Sequence, residues 1–170
     1  TLLGIYRMTK KKVSFSLKEY MNIMSKNSHF NGFIDFSKKE YSGQDLITSI
    51  LPSINLNMGN TKYDEEEGHK SNNWVEINNG IVNKGIFDKD IFSKMSRGLV
   101  HIIFNDFGHN SAKNFLDNTQ SIVREYLLHN GFSVGISDIV ASDETKNKIK
   151  LSIKDKKKEV EKLIQQLHLN

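Results

Sequence analysis

The side chains able to do chemistry are few and scattered along this chain. Six histidines stand at His29, His69, His101, His109, His129 and His168. No two of them have metal-ligand spacing on an expected helix, so they offer no zinc-type site. His101 falls in an apolar run and is expected to be a satisfied core histidine. Four consecutive acids, Asp64-Glu65-Glu66-Glu67, could hold a hard cation, but they lack the alternate spacing and central glycine of a calcium loop. A solvated loop is the expectation there. The absence of cysteine excludes disulfides and thiolate zinc sites, and fits a reducing intracellular compartment. No phosphate-binding glycine loop, serine-nucleophile elbow or paired-histidine zinc motif is present. Residue chemistry taken alone therefore points to no catalytic centre.

Charge is equally restrained. The net charge of +4 is modest, and it gathers where Lys146 to Lys162 holds eight lysines against three acids. Such a run on a helix reads as a solvated face. Lysine outnumbers arginine 21 to 3, beside 18 Asn and 18 Ile, a bias that points to an AT-rich genome. The composition is that of a soluble globular protein, and the 170 residues suffice for one ordinary domain or two small lobes. No apolar run is long enough to span a bilayer, so no membrane partner is expected. Thr1 resembles neither a signal peptide nor a native start.

The elements that would position any site can be read from periodicity. Leu2 to Met8 is apolar-rich and could be the tail of a helix. Ser16 opens a helix carrying Leu17, Tyr20, Met21 and Met24. His29 to Tyr41 is irregular and turn-rich. Ser42 to Ile50 predicts a second short helix, with Leu46, Ile47 and Ile50 on one side and Pro52 past its end. Ile54, Leu56 and Met58 alternate as in a half-buried strand, and Asn60 to Asn73 is loop-like. Trp74 to Ile77 and Ile81 to Phe87 form a hairpin through Asn78-Asn79-Gly80, since Asn-Gly tolerates positive φ. Strands are thus confined to about Ile54 to Phe87, and helices dominate from Gly98. Leu99 to Phe107 predicts a short buried helix ending at Gly108. Ala112, Phe115, Leu116, Thr119, Ile122, Val123, Tyr126 and Leu127 share one face of a helix of about five turns. It stops at Asn130-Gly131. Ser142 caps the last helix, with Asp143 and Glu144 in its first turn. The seam of that helix, Ile149, Ile153, Val160, Leu163, Ile164 and Leu167, is broken by Lys156 and Lys157 and has no following partner. It reads as one arm of a helical hairpin. The fold class is α+β.

Several stretches, in this order, resemble the largest subunit of archaeal, eukaryotic and viral DNA-directed RNA polymerases. Thr1-Leu2-Leu3-Gly4-Ile5-Tyr6 is similar to a family segment downstream of the Asn-Ala-Asp-Phe-Asp-Gly-Asp loop. Ser42-Gly43 and Ile50-Leu51-Pro52-Ser53-Ile54-Asn55-Leu56 resemble its Ser-Gly-Lys-Gln helix and Leu-Pro-x-x-Ile-x-Leu turn. Gly80, Gly85 and Asp88-Lys89 echo a hairpin followed by an acidic-lysine pair, and Gly98-Leu99-Val100-His101 echoes Gly-Leu-Ile-His. The longest match runs from Leu127 to Asp138, Leu-Leu-His-Asn-Gly-Phe-Ser-Val-Gly-Ile-Ser-Asp. The pattern departs at Gln44 and Asp45, where Lys-Gln is usual, which removes a positive charge.

The resemblance implies that residues 1–138 are the pore region and 139–170 the start of the funnel. They would line the secondary channel, where nucleotides enter and backtracked RNA is extruded. The partners would be other polymerase subunits, with template DNA, RNA and nucleoside triphosphates in the assembled enzyme. The catalytic Mg2+ would belong to the aspartate loop upstream of Thr1, leaving no catalytic residue or cofactor here, and this chain alone inactive. Lys89 would be the channel-lining cation. Gly131, Phe132, Ser133, Gly135 and Asp138 would be structural: the glycines permit tight turns, Phe132 anchors in the core, and Asp138 bonds nearby amides. The compositional bias suggests a large DNA virus, or else an AT-rich protist. The expected location is nuclear if cellular, and host cytoplasm, virus factory or virion if viral. The competing reading is a stand-alone interaction module whose basic last helix binds a protein or nucleic acid.

Overall fold

The computed structural model describes residues 1–27 and 36–168. It divides into two compact units, Thr1–Gly131 and Phe132–Asn170. The first unit begins with α1 (Leu2–Met8), β1 (Ser14–Phe15) and α2 (Leu17–Met24), followed by β2 (Tyr41–Ser42) and α3 (Gly43–Thr48). Next come β3 (Leu56–Gly59), a 3-10 turn (Glu65–Lys70), β4 (Trp74–Asn78) and β5 (Ile81–Lys84). It closes with α4 (Lys89–Ser93) and α5 (Leu99–Asn130). The second unit holds α6 (Ile136–Ile139) and α7 (Asp143–His168). Small antiparallel sheets followed by helices make the fold α+β.

Local chemistry explains most of these boundaries. Ser16 and Ser42 each open a helix with a reciprocal capping box, using Glu19 and Asp45 three residues on. Asp45 thereby gains a structural task at a position where the resemblance leads one to expect glutamine. It also pairs with Lys38 at 2.7 Å. Between β4 and β5 the turn residues Asn79 and Gly80 take φ of 51° and 79°, the geometry a tight two-residue hairpin demands. The central strand β4 pairs with β3 from Gly59↔Trp74 to Leu56↔Ile77, and with β5 through Ile77↔Val82. A bulge at Glu76/Ile77 interrupts the second ladder. On one face of this sheet Leu56, Val75, Ile77 and Val82 are buried, in one core with Leu46 and Ile47 of α3. The same core takes in Phe87, Ile91 and Phe92, and Phe115, Ile122, Val123 and Tyr126 of α5.

Several expectations need correction. Strands are not confined to the Ile54–Phe87 interval: β1 and β2 form a second, two-stranded antiparallel sheet, Ser14↔Ser42 and Phe15↔Tyr41. Two-residue strands are too short to show alternation, and stacking of Tyr20 on Tyr41, 4.3 Å between ring centres, helps hold them. The run from Leu99 to Phe107 does break at Gly108, which leaves helical geometry with φ 80°, but it is not buried all round. Leu99 and Ile103 are buried, while Phe104 and Phe107 are 55% and 40% exposed. His101 is exposed and meets Asn105 at 2.9 Å, so it is no core histidine. Two residues beyond Leu99 on a helix lie on nearly the opposite face, which is why one apolar stripe cannot include both. Met21 and Leu116 are likewise exposed members of otherwise buried faces, and Ile23 takes the buried place on α2. Of the expected irregular stretch from His29 to Tyr41, residues 29–35 lie outside the described residues.

In the second unit, Ser142 Oγ accepts from the Thr145 amide at 3.2 Å and caps α7 as expected. Ile149, Ile153, Val160, Leu163 and Ile164 are each about half exposed, from 47% to 54%. The side chain of Leu167 lies outside the described residues. Helices without a packed face are marginal in water. In a monomeric sample the amides of α7 are therefore expected to exchange with solvent much faster than those of residues 110–127. Equal protection of the two helices would show that the seam is covered.

Candidate functional site

The segment that carries Asp88 and Lys89 is fastened from three directions before it reaches them. After β5 the chain passes Gly85, whose carbonyl accepts from Gln44 Nε2 of α3 at 2.9 Å. The same Gln44 amide donates to the Thr9 carbonyl, just past α1, at 2.8 Å. Thr9 is fully buried, and its hydroxyl donates to the Ile5 carbonyl while accepting from the Phe87 amide at 3.0 Å. Phe87, which directly precedes Asp88, is fully buried. The Gln44 amide of α3 and the Thr9 hydroxyl thus satisfy backbone groups of α1, of the turn after it and of the β5–α4 connection. Left unpaired, such groups are costly.

Asp88 then caps α4, accepting from the Ile91 amide with Oδ1 at 3.0 Å. Its Oδ2 accepts from the Thr61 amide at 2.8 Å and from the Thr61 hydroxyl, which ties in the loop after β3. Burial works to raise its pKa, but these bonds outweigh burial and hold the carboxyl below the usual aspartate range. With both oxygens engaged in bonds to its neighbours, Asp88 organises the backbone. Lys89, the first residue of α4, is exposed. Next to this cap, Lys62 Nζ donates to the Tyr6 hydroxyl at 3.1 Å, and Lys10 Nζ lies 4.8 Å from the centre of the Tyr6 ring. The result is a solvent-facing junction of α1, the β3 loop and α4, rich in cations.

The other expected site residues stand elsewhere. Gly131 ends α5 with φ 61°, its amide donating to the Leu127 carbonyl at 2.8 Å and its own carbonyl accepting from Arg7 at 2.7 Å. In the second unit Asp138 accepts from the Gly135 amide at 2.8 Å. Gly135 itself has an ordinary φ of −81°, so its place needs no glycine-specific turn. Phe132 is 55% exposed and does not anchor in the core, and Ser133 is exposed. Both lie past the helix end, where the core residues of α5 have stopped.

Among the described residues no three His, Asp or Glu side chains come together closely enough to hold a metal ion. None of the helices described there is long and apolar enough to cross a membrane. Sequence reasoning missed Thr9, Gln44, Tyr6, Lys10 and Lys62. Gln44 drew notice for the charge it lacks, whereas its work is to bridge two carbonyls. Thr9 and Lys62 carry no local signal, because Phe87 and Tyr6 lie 78 and 56 residues from them. The four-residue Tyr6–Lys10 spacing gains meaning only once Lys62 joins it. A family model described as RNA polymerase Rpb1, domain 3, matches residues 1–139 of the chain.

Proposed function

Given that this chain belongs to the family of RNA polymerase largest subunits, we propose that its first unit borders the secondary channel, with Lys89 at the rim. Other polymerase subunits are its partners, and the enzyme it contributes to is a DNA-directed nucleotidyltransferase. The finer reading is that nucleoside triphosphates and the 3′ end of backtracked RNA pass this surface, alongside template DNA in the complete enzyme. Residues 1–138 serve as the pore region and 139–170 as the beginning of the funnel. In this reading the catalytic Mg2+ is held by a part of the polymerase outside this chain. Chemistry is therefore not assigned to any residue here.

The observation that carries the proposal is the pairing of roles at Asp88-Lys89. The carboxylate is consumed in fastening Thr61 and the α4 amides, while the neighbouring ammonium faces solvent. A cation held on a rigid cap raises the local concentration of phosphate ligands. Because exposed charges are screened over about 8 Å at physiological salt, the effect of one lysine is small. Lys89→Ala in the assembled polymerase is expected to weaken apparent nucleotide affinity about two- to four-fold, more at low salt. Lys89→Glu should exceed it, with folding unchanged in both. The measurement is elongation rate against nucleotide concentration at two ionic strengths. Three coincident curves would return Lys89 to an ordinary surface lysine.

A further inference from the structure

A second group of cations beside the Asp88 cap is not used by the reading above. Lys62 Nζ lies 5.5 Å from the centre of the Tyr6 ring and Lys10 Nζ 4.8 Å from it, so one aromatic ring sits among two ammoniums. Among the described residues neither lysine has a carboxylate within ion-pair distance. Asp88, the acid that Tyr6 senses, has its oxygens engaged by Thr61 and Ile91. Each ammonium is attracted to the ring, but that attraction is modest at an exposed site and leaves their charge unneutralised. The hydrogen bond from Lys62, together with the charges of Lys10 and Lys62, holds the Tyr6 phenol below its ordinary range, against burial and Asp88. Geometry matters more than charge here. Lys62 donates to the phenol oxygen, so the phenol's own O–H remains to donate outward.

We propose that Tyr6, Lys10 and Lys62 form a phosphate-binding site for a nucleotide ligand, with two ammoniums and one phenol O–H as donors. The ligand class rests on the channel reading, while the site rests on the three side chains themselves. Its phosphates come either from a nucleoside triphosphate or from the phosphodiesters of an RNA 3′ segment. The Tyr6 ring fixes the spacing of the two cations, which distinguishes this group from the lysine run on α7. That run has more lysines, spread along an exposed helix with no aromatic residue among them, and several paired with nearby acids such as Glu144 and Glu159.

The test uses the assembled polymerase carrying Lys10→Ala/Lys62→Ala, Lys10→Arg/Lys62→Arg, Tyr6→Phe, Lys89→Ala, or Lys154→Ala/Lys157→Ala as a charge control. One arm measures KM for nucleoside triphosphates. The other measures the lifetime of complexes backtracked on RNA with a 4-thiouridine 3′ end, and its crosslinking to this junction. Because Lys10 and Lys62 are exposed, their substitution should leave folding intact. The alanine pair is expected to change one arm roughly three- to ten-fold, more at low salt. The arginine pair should restore most of it, and Tyr6→Phe should give a smaller loss with the charges kept. A raised KM identifies the triphosphate as ligand, and a shortened backtracked lifetime with weaker crosslinking identifies RNA. The site is overturned if both arms stay flat for the alanine pair, or if the α7 control loses as much. An effect of Lys89→Ala beside a flat alanine pair sinks this site and spares the channel reading. The reverse pattern spares the site and sinks the role of Lys89.

Discussion

Gly85→Ala is expected to destabilise the first unit by roughly 3–5 kcal/mol, the sum of backbone strain and overpacking. Gly85 sits at φ 117°, where an L side chain is strained whatever the space. Space is also lacking: an added Cβ would lie 2.5 Å from Val75 Cα and 2.6 Å from its Cγ2. Val75 is fully buried on the central strand, paired with Met58 of β3, and cannot retreat. Shifting residue 85 instead would pull its carbonyl from Gln44 and strain the Phe87–Thr9 bond. Gly108→Ala provides the comparison, since Gly108 has φ 80° but no atom within 4 Å of an added Cβ. It should lose only about 1 kcal/mol. Urea unfolding midpoints of the two variants decide the matter. Equal losses would mean that the close approach to Val75 carries no weight and that φ alone matters.

Phe87→Ala is expected to cost about 3–5 kcal/mol through the cavity it leaves. The ring is fully buried in the core that joins the sheet, α4 and α5. Phe87→Leu, nearer in volume, should cost less than about 1.5 kcal/mol. The loss should also reach the cap that follows. If the ring helps hold residues 85–89 in register, its removal will loosen Asp88, and the Thr61 and Ile91 amides that donate to it will exchange faster. Amide exchange at these two positions, with unfolding measured in parallel, reads both effects. A stability loss without faster exchange there would confine Phe87 to the core. It would leave placement of Lys89 to the Thr9 and Gln44 bonds. Against a total stability of about 5–15 kcal/mol for an ordinary domain, either alanine variant removes a large share.

What the sequence determined by itself is whatever short-range physics writes into consecutive residues. The α5 face from Ala112 to Tyr126 and its stop at Gly131 follow from a 3.6-residue period and a left-handed cap. The caps at Ser16 and Ser142 involve partners three residues away. The β4–β5 hairpin follows from Asn79-Gly80, which accept positive φ. The ordered motifs from Thr1 to Asp138 sufficed for the family, which the match over residues 1–139 shows. Tertiary structure alone decided the rest. The β1–β2 sheet exists because Tyr41 returns to stack on Tyr20, and two residues hold no period that could announce it. His101 points to solvent because the core meets only the Leu99–Ile103 side of its helix. Gln44 became a bridge between Thr9 and Gly85, and Lys62 reached Tyr6, across intervals of 35 to 56 residues. No local propensity encodes such pairings. They are set when burial of the shared core brings α1, α3 and the β5–α4 connection together, and unpaired polar groups there must then find one another.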